Sequence, residues 1–207
     1  MKRTALGILG PLVVIPTAAW AVPMSASAPA APSSAAVSVG PGGSATYDPP
    51  EVKVRVGGTV TWTWSSSGHS VTDSSGLDLF DSGVLGSGST FSFTVFASGK
   101  YRYVSTADSG MSGTVSVPIR INPSTGTDQT MFKLTWADAA PPQGVAYDVE
   151  SRVKGAPRWG RLNFSAKRAA SLQLPRGKWQ FRERMELVAP DGAHTDWSPI
   201  GTLTVTP

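Results

Sequence analysis

Apolar residues in this chain alternate with polar ones over short runs, and the runs are closed by glycine, proline or clusters of Ser and Thr. A period of two puts every second side chain on one face of an extended segment, the pattern of a half-buried strand. Val60, Trp62 and Trp64 share one face, with Thr59, Thr61 and Thr63 on the other. Val52, Val54 and Val56 alternate with Lys53 and Arg55, and Gly57-Gly58 then supplies a turn. Phe91, Phe93 and Val95 repeat the pattern, as do Tyr101 with Tyr103 and Val115 with Val117. A second series follows in Phe132, Leu134 and Trp136; Tyr147, Val149 and Ser151; Leu172 and Leu174; Trp179 and Phe181; Leu203 and Val205. No long segment beyond the N-terminus has helical periodicity. The 22 glycines and 17 prolines in 207 residues provide turns at the spacing short strands require. The expected fold class is all-β, with two β-sandwich domains.

Four segments are expected. Residues 1–21 read as a secretory signal: Lys2 and Arg3 are charged, Ala5 to Ile15 is apolar, and Ala19-Trp20-Ala21 offers a small-x-small cleavage site. Residues 22–36 are almost entirely Ala, Pro and Ser, which bury too little apolar surface to offset their ordering entropy, and read as a linker. Residues 37–118 and 119–207 are the two sandwiches, with Ile119 to Pro123 as a short connection. The chain is expected to be secreted to the extracellular space, with no membrane insertion after signal cleavage.

The function classes narrow quickly. There is no cysteine, which removes disulfides, thiol catalysis and Cys-ligated metal. Net charge is +4, or +2 once Lys2 and Arg3 are subtracted, and no Lys/Arg run supports nucleic-acid binding. The two histidines, His69 and His194, fall in different predicted domains, and no Gly-x-Ser-x-Gly motif is present. Glu150, Glu183 and Glu186 sit on strand-like segments, and Asp73, Asp78 and Asp81 lack the spacing of a calcium loop. No enzyme is expected.

The first domain carries an ordered set of motifs. Tyr47-Asp48-Pro49-Pro50 precedes Val56-Gly57-Gly58-Thr59-Val60-Thr61-Trp62, then Gly68-His69-Ser70-Val71-Thr72, Phe80-Asp81-Ser82-Gly83 and Gly88-Ser89-Thr90-Phe91. Gly99-Lys100-Tyr101-Arg102-Tyr103 and Met111-Ser112-Gly113-Thr114-Val115 complete it. In this order and spacing the set resembles the cupredoxins, the plastocyanin and azurin family. The resemblance implies a Greek-key sandwich with a copper site near one end, built from an early His and from a Cys, a His and a Met of the last loop. His69 and Met111 match those positions; Ser105 stands at the Cys and Asp108 at the second His. A type 1 site depends on a thiolate with two imidazoles in a plane, and a serine hydroxyl is a hard, protonated and poor donor to copper(I). Two readings of His69, Ser105, Asp108 and Met111 stand. His69, Asp108 and Met111 form a weak site for a divalent ion, or the four are a loop cluster in which His69 bonds locally, Ser105 bonds within the loop, Asp108 caps nearby N–H groups and Met111 packs on the sandwich end. The second is expected, with no cofactor; copper, in an electron-transfer or carrier protein, is the alternative.

Residues 119–207 resemble a fibronectin type III domain. Leu134-Thr135-Trp136, Tyr147 to Arg152, Leu174 to Arg184 and Thr195-Asp196-Trp197-Ser198-Pro199 carry the likeness. Trp179 stands where the family has a corner Tyr, which takes away the hydroxyl that bonds there. Arg182 and Arg184 are placed to stack on Trp159 or Trp197. Together the two likenesses imply a secreted, non-enzymatic binding or structural protein whose partner is an extracellular protein or a cell-envelope component.

Overall fold

The structure is a computed structural model, and it describes residues 30–189 and 192–207. The signal segment and the linker up to residue 29 lie outside the described residues. Among those described, no helix is long and apolar enough to cross a membrane.

The chain is all-β. The first half contains β1 (Ser34–Val39), β2 (Tyr47–Asp48), β3 (Glu51–Lys53), β4 (Thr59–Trp64), β5 (Thr72–Asp73), β6 (Thr90–Thr94), β7 (Gly99–Val104) and β8 (Ser112–Val117). One sheet has the order β2-β1-β4-β6, with β1 and β4 parallel; the other has the order β3-β8-β7-β5. The alternation read from the sequence sets which faces meet. Val60, Trp62 and Trp64 point inward from β4, and Tyr101 and Tyr103 from β7. Their rings interlock: Trp62 and Tyr103 meet edge-on at 5.3 Å between centroids, and Tyr47 and Tyr103 at 4.7 Å. Gly113 in β8 leaves the room for this, because a Cβ there would lie 2.3 Å from the Tyr103 ring.

Two boundaries differ from expectation. Strand β1 begins at Ser34, inside the Ala/Pro/Ser-rich segment, because Ser34 to Val39 gain a full register against Thr59 to Trp64. The segment read as a connection between domains contains β9 (Arg120–Asn122), which pairs with β11 (Phe132–Thr135). Pairing satisfies main-chain groups that a free linker would leave to water.

The second half continues with β10 (Thr125–Thr127), β12 (Val145–Val153), β13 (Gly160–Ser165), β14 (Ala169–Leu172), β15 (Gly177–Leu187) and β16 (Gly201–Thr206). A sheet of order β14-β11-β9 faces one of order β10-β16-β15-β12-β13. Trp136 enters the core, as its alternation predicts. At the corner before β15 the indole Nε1 of Trp179 donates to the Pro175 carbonyl at 3.0 Å, so the indole supplies a bond where the sequence predicts a lost hydroxyl. On the outer face Arg182 lies 4.4 Å from the Trp159 ring and 4.0 Å from Trp197, with Arg184 at 4.5 Å from Trp197. Arg152, 4.2 Å from Trp159, extends the stack beyond the pairs read from the sequence.

The two sandwiches are joined by main-chain bonds. Ser98 N–H donates to the Trp136 carbonyl, and Lys100 and Asp196 exchange N–H···O bonds at 2.9 and 3.2 Å. Arg102 also pairs with the Asp196 carboxylate. Buried apolar residues of both halves form one continuous cluster, with Ala97, Tyr101 and Ile119 among those of the first half or its junction and Ala137 and Tyr147 among those of the second.

Within this cluster lies Glu183, on the same face of β15 as Phe181 and Met185 and 0% exposed, with neither carboxyl oxygen hydrogen-bonded among the described residues. Burial pushes its pKa well up, and the negative charge of Asp148 adds to the shift. Tyr101 of the first half and Tyr147 of the second are close enough for Glu183 to raise their own values. The unfolded chain releases this proton near 4.5, whereas the folded chain retains it to higher pH. The Glu183 contribution is therefore full below that unfolded value and declines as pH rises above it, by up to about tenfold in the folding constant per pH unit. Glu183→Gln should flatten this decline, measured as denaturant midpoint from pH 5 to 8. An unchanged pH profile would show that Glu183 releases its proton at the same pH in the folded and unfolded chains.

Candidate functional site

The four residues singled out at the copper positions meet at one end of the first sandwich. His69 lies in the loop after β4, fastened by its own main chain. The Trp64 indole Nε1 donates to the His69 carbonyl at 2.8 Å, and Leu85 N–H donates to the same carbonyl at 3.0 Å. The Tyr47 hydroxyl donates to the neighbouring Ser70 carbonyl, and burial raises its pKa, which keeps it a donor. Ser105, Asp108 and Met111 lie in the hairpin between β7 and β8. Ser105 N–H donates to the Met111 carbonyl at 3.1 Å, and Met111 N–H to the Asp108 carbonyl at 3.4 Å.

The contact that closes the site is between side chains. His69 Nδ1 is 2.7 Å from Asp108 Oδ2, and the Ser105 hydroxyl donates to that same oxygen at 2.8 Å. One carboxylate oxygen therefore stands at the point shared by the imidazole and the residue at the thiolate position. The hydrogen bond from His69, then that from Ser105, hold the Asp108 carboxyl below the usual range. His69 is 6% exposed, and Ser105 and Met111 are buried.

Asp108 differs from the expectation that its side chain caps loop N–H groups: its carboxylate takes an imidazole and a hydroxyl instead. Ser105 bonds within its own loop and Met111 is buried, whereas His69 reaches Asp108 in the other loop. The donor set does not fit copper of the blue kind, since it offers one imidazole, a hydroxyl and a carboxylate that already engages both. Among the described residues no three His, Cys, Asp or Glu side chains gather in one place. Asp73 accepts from the Ser75 and Leu79 N–H groups, and Asp81 from the Thr72 hydroxyl and the Gly83 N–H, so these carboxylates serve their own loop.

Ser66 is the residue the sequence reading missed. Its Oγ lies 3.1 Å from His69 Nε2, which sets Ser66, His69 and Asp108 in the order of a nucleophile, base and orienting acid. The Ser66 hydroxyl donates to the Gly40 carbonyl at 2.8 Å, so its proton is committed to main chain. Gly40, at φ 66°, lies hard against the pair: a Cβ there would sit 1.9 Å from Ser66 Oγ and 2.7 Å from His69 Nε2. The Ser65-Ser66-Ser67 run masks this position in the sequence, because nothing local marks the middle serine. Surface hollows lined by Asp128, Gln173 and Arg176, and by Glu51, Lys100 and Asp196, include none of the cluster.

No family model matches the chain, and no curated protein matches it. Solved structures do. A proline-to-glycine variant of amicyanin in its reduced Cu(I) form is 28% identical, covers 41% of this chain and 81% of its own, and has a TM-score of 0.37. A purple cupredoxin from Nitrosopumilus maritimus is 29% identical and covers 40% of this chain and 98% of its own, at a TM-score of 0.36. A methionine-to-leucine variant of oxidised amicyanin is 27% identical, with 40% and 79% covered and a TM-score of 0.36.

Asp108 stabilises the loop pair only while ionised. Its folded pKa is depressed, so its contribution is present above the ordinary carboxyl value of 3.8 and is lost as pH falls through the folded value. Asp108→Ala should lower the melting temperature at pH 7, and the gap from the parent should narrow toward pH 3. A gap that stays constant with pH would mean that the contact with His69 contributes nothing ionic.

Proposed function

We propose that this chain is a secreted, non-enzymatic binding or structural protein on a cupredoxin-like scaffold whose metal position is filled by its own carboxylate. The observation that carries the reading is Asp108 Oδ2, bonded at once to His69 Nδ1 and Ser105 Oγ. A loop pair whose imidazole and hydroxyl are already bonded to an internal carboxylate leaves no set of free donors for a copper ion. The order of the motifs in residues 47–117 and the parallel β1–β4 pair support the scaffold. For the second half we adopt the fibronectin type III reading; a three-stranded sheet over a five-stranded one, with Trp136 in the core, supports it. The partner on this reading is an extracellular protein or envelope component, engaged by a two-sandwich unit.

Three measurements separate this from its rivals. The exported chain should sediment with isolated cell envelope or bind a component of it; failure to bind any such fraction removes the binding role. Added copper(II) should give no intense visible band in the parent, whereas Ser105→Cys with Asp108→His should gain one, because the pair restores a thiolate and a second imidazole around the point Oδ2 now holds. An intense blue parent would establish the copper-protein alternative instead. Hydrolysis of an activated ester that is abolished by Ser66→Ala would overturn the non-enzymatic reading.

A further inference from the structure

The free edge of β6 combines three properties that the other sheet edges lack together. Among the described residues, strand β6 pairs with β4 on one side and ends its sheet on the other. From Ser82 to Gly99 the chain has no charged residue and no proline. Open edges are normally protected by such residues, which keep foreign strands from pairing. The edge strands β2, β3, β5, β9 and β13 each carry at least one charge, in Asp48, Glu51, Asp73, Arg120 and Arg161. The remaining uncharged edges, β10 and β14, are shorter and contain no aromatic residue. Only β6 adds two phenylalanines, Phe91 and Phe93, which point inward yet stay partly exposed at the rim.

The sequence of β6 is also its own mirror. Thr90-Phe91-Ser92-Phe93-Thr94 reads identically in both directions about Ser92. A two-fold interface needs a surface that complements itself, and an antiparallel strand pair with its axis at Ser92 meets that demand. The direction of the main-chain groups agrees. Val95 N–H donates to the Gly58 carbonyl, so Val95 and, by alternation, Phe93 and Phe91 bond toward β4. The N–H and C=O groups of Thr90, Ser92 and Thr94 therefore face the free edge. Register is limited as well: the Phe96 carbonyl accepts from Asp138 N–H of the second sandwich, which closes the edge beyond β6.

We propose that β6 pairs with β6 of a second copy, joining the two outer sheets into one. Ser92 then faces Ser92 of the second copy and Thr90 faces its Thr94, each facing pair exchanging both main-chain bonds. The hydroxyls that already link Thr61 to Ser92 and Thr59 to Thr94, at 2.9 Å each, continue across the axis. On the inner face Phe91 meets Phe93 of the second copy, a cross-strand aromatic pair that covers both rims. One short strand buries less than a standard interface, so the dimer is weak and reversible and forms at high protein concentration.

The absence of cysteine makes the test free of background. In a hydrogen-bonded antiparallel pair the facing Cα atoms lie about 5.5 Å apart, within disulfide range. Oxidation of full-length Ser92→Cys should yield a covalent dimer at least tenfold faster than Thr63→Cys, which is exposed on the same face but one strand inside the edge. Sedimentation of the parent should show a concentration-dependent dimer that Ser92→Lys abolishes with the melting temperature unchanged. Equal cross-linking rates for the two cysteine variants, or a parent that stays monomeric at millimolar concentration, would overturn the proposal. A dimer unaffected by Ser92→Lys would also overturn it, since the contact would then lie elsewhere.

Discussion

A single carboxylate oxygen holds the end of the first sandwich closed. Asp108 Oδ2 accepts from an imidazole of one loop and a hydroxyl of another, and those loops are the ones that would have to part for any ligand to enter. The rest of the arrangement follows from that contact. With Nδ1 engaged, the far ring nitrogen of His69 turns to Ser66, and the Ser66 hydroxyl turns to the Gly40 carbonyl. Gly40 is then pressed so close to the pair that no side chain fits between them. The row that has the order of a hydrolytic relay runs on from Ser66 to a main-chain carbonyl.

The second constraint is the seam between the sandwiches. Main-chain bonds at Ser98, Lys100 and Asp196 tie the two halves together. Beneath the seam lies Glu183, a carboxyl with no hydrogen-bond partner among the described residues. Leaving such a group unpaired costs about 1–3 kcal/mol, so the surrounding aromatic and apolar packing must offset it. The stack of Arg152, Trp159, Arg182, Trp197 and Arg184 covers the opposite face of the same sheet. Each cation–ring contact contributes about 0.5–1 kcal/mol where exposed, and adjacent contacts share one arginine or one indole.

Much of this was legible beforehand. The alternation of Val60, Trp62 and Trp64 with three threonines placed β4 and its buried face, because a strand has a strict period of two. The same rule puts Glu183 inward, between Phe181 and Met185, although a glutamate there invites the opposite guess. The meeting of His69 with Ser105, Asp108 and Met111 came from a likeness in loop order, since nothing local links positions 36 or more residues apart. The start of β1, Ser34 to Ala36, reads as linker because Ser and Ala have weak strand preference, and β9 reads as connection because three residues are too few to show a period; pairing with β4 and β11 makes both strands.

By itself the sequence determined that the chain is all-β and that no thiolate is available to hold copper, because periodicity and composition are properties of the polymer. It did not determine which partner Asp108 takes, that Ser66 stands behind His69, or that the sandwiches share one core. Those outcomes depend on which atoms the fold brings within hydrogen-bonding distance. Such distances are set by how two sheets pack, and no single strand contains that information.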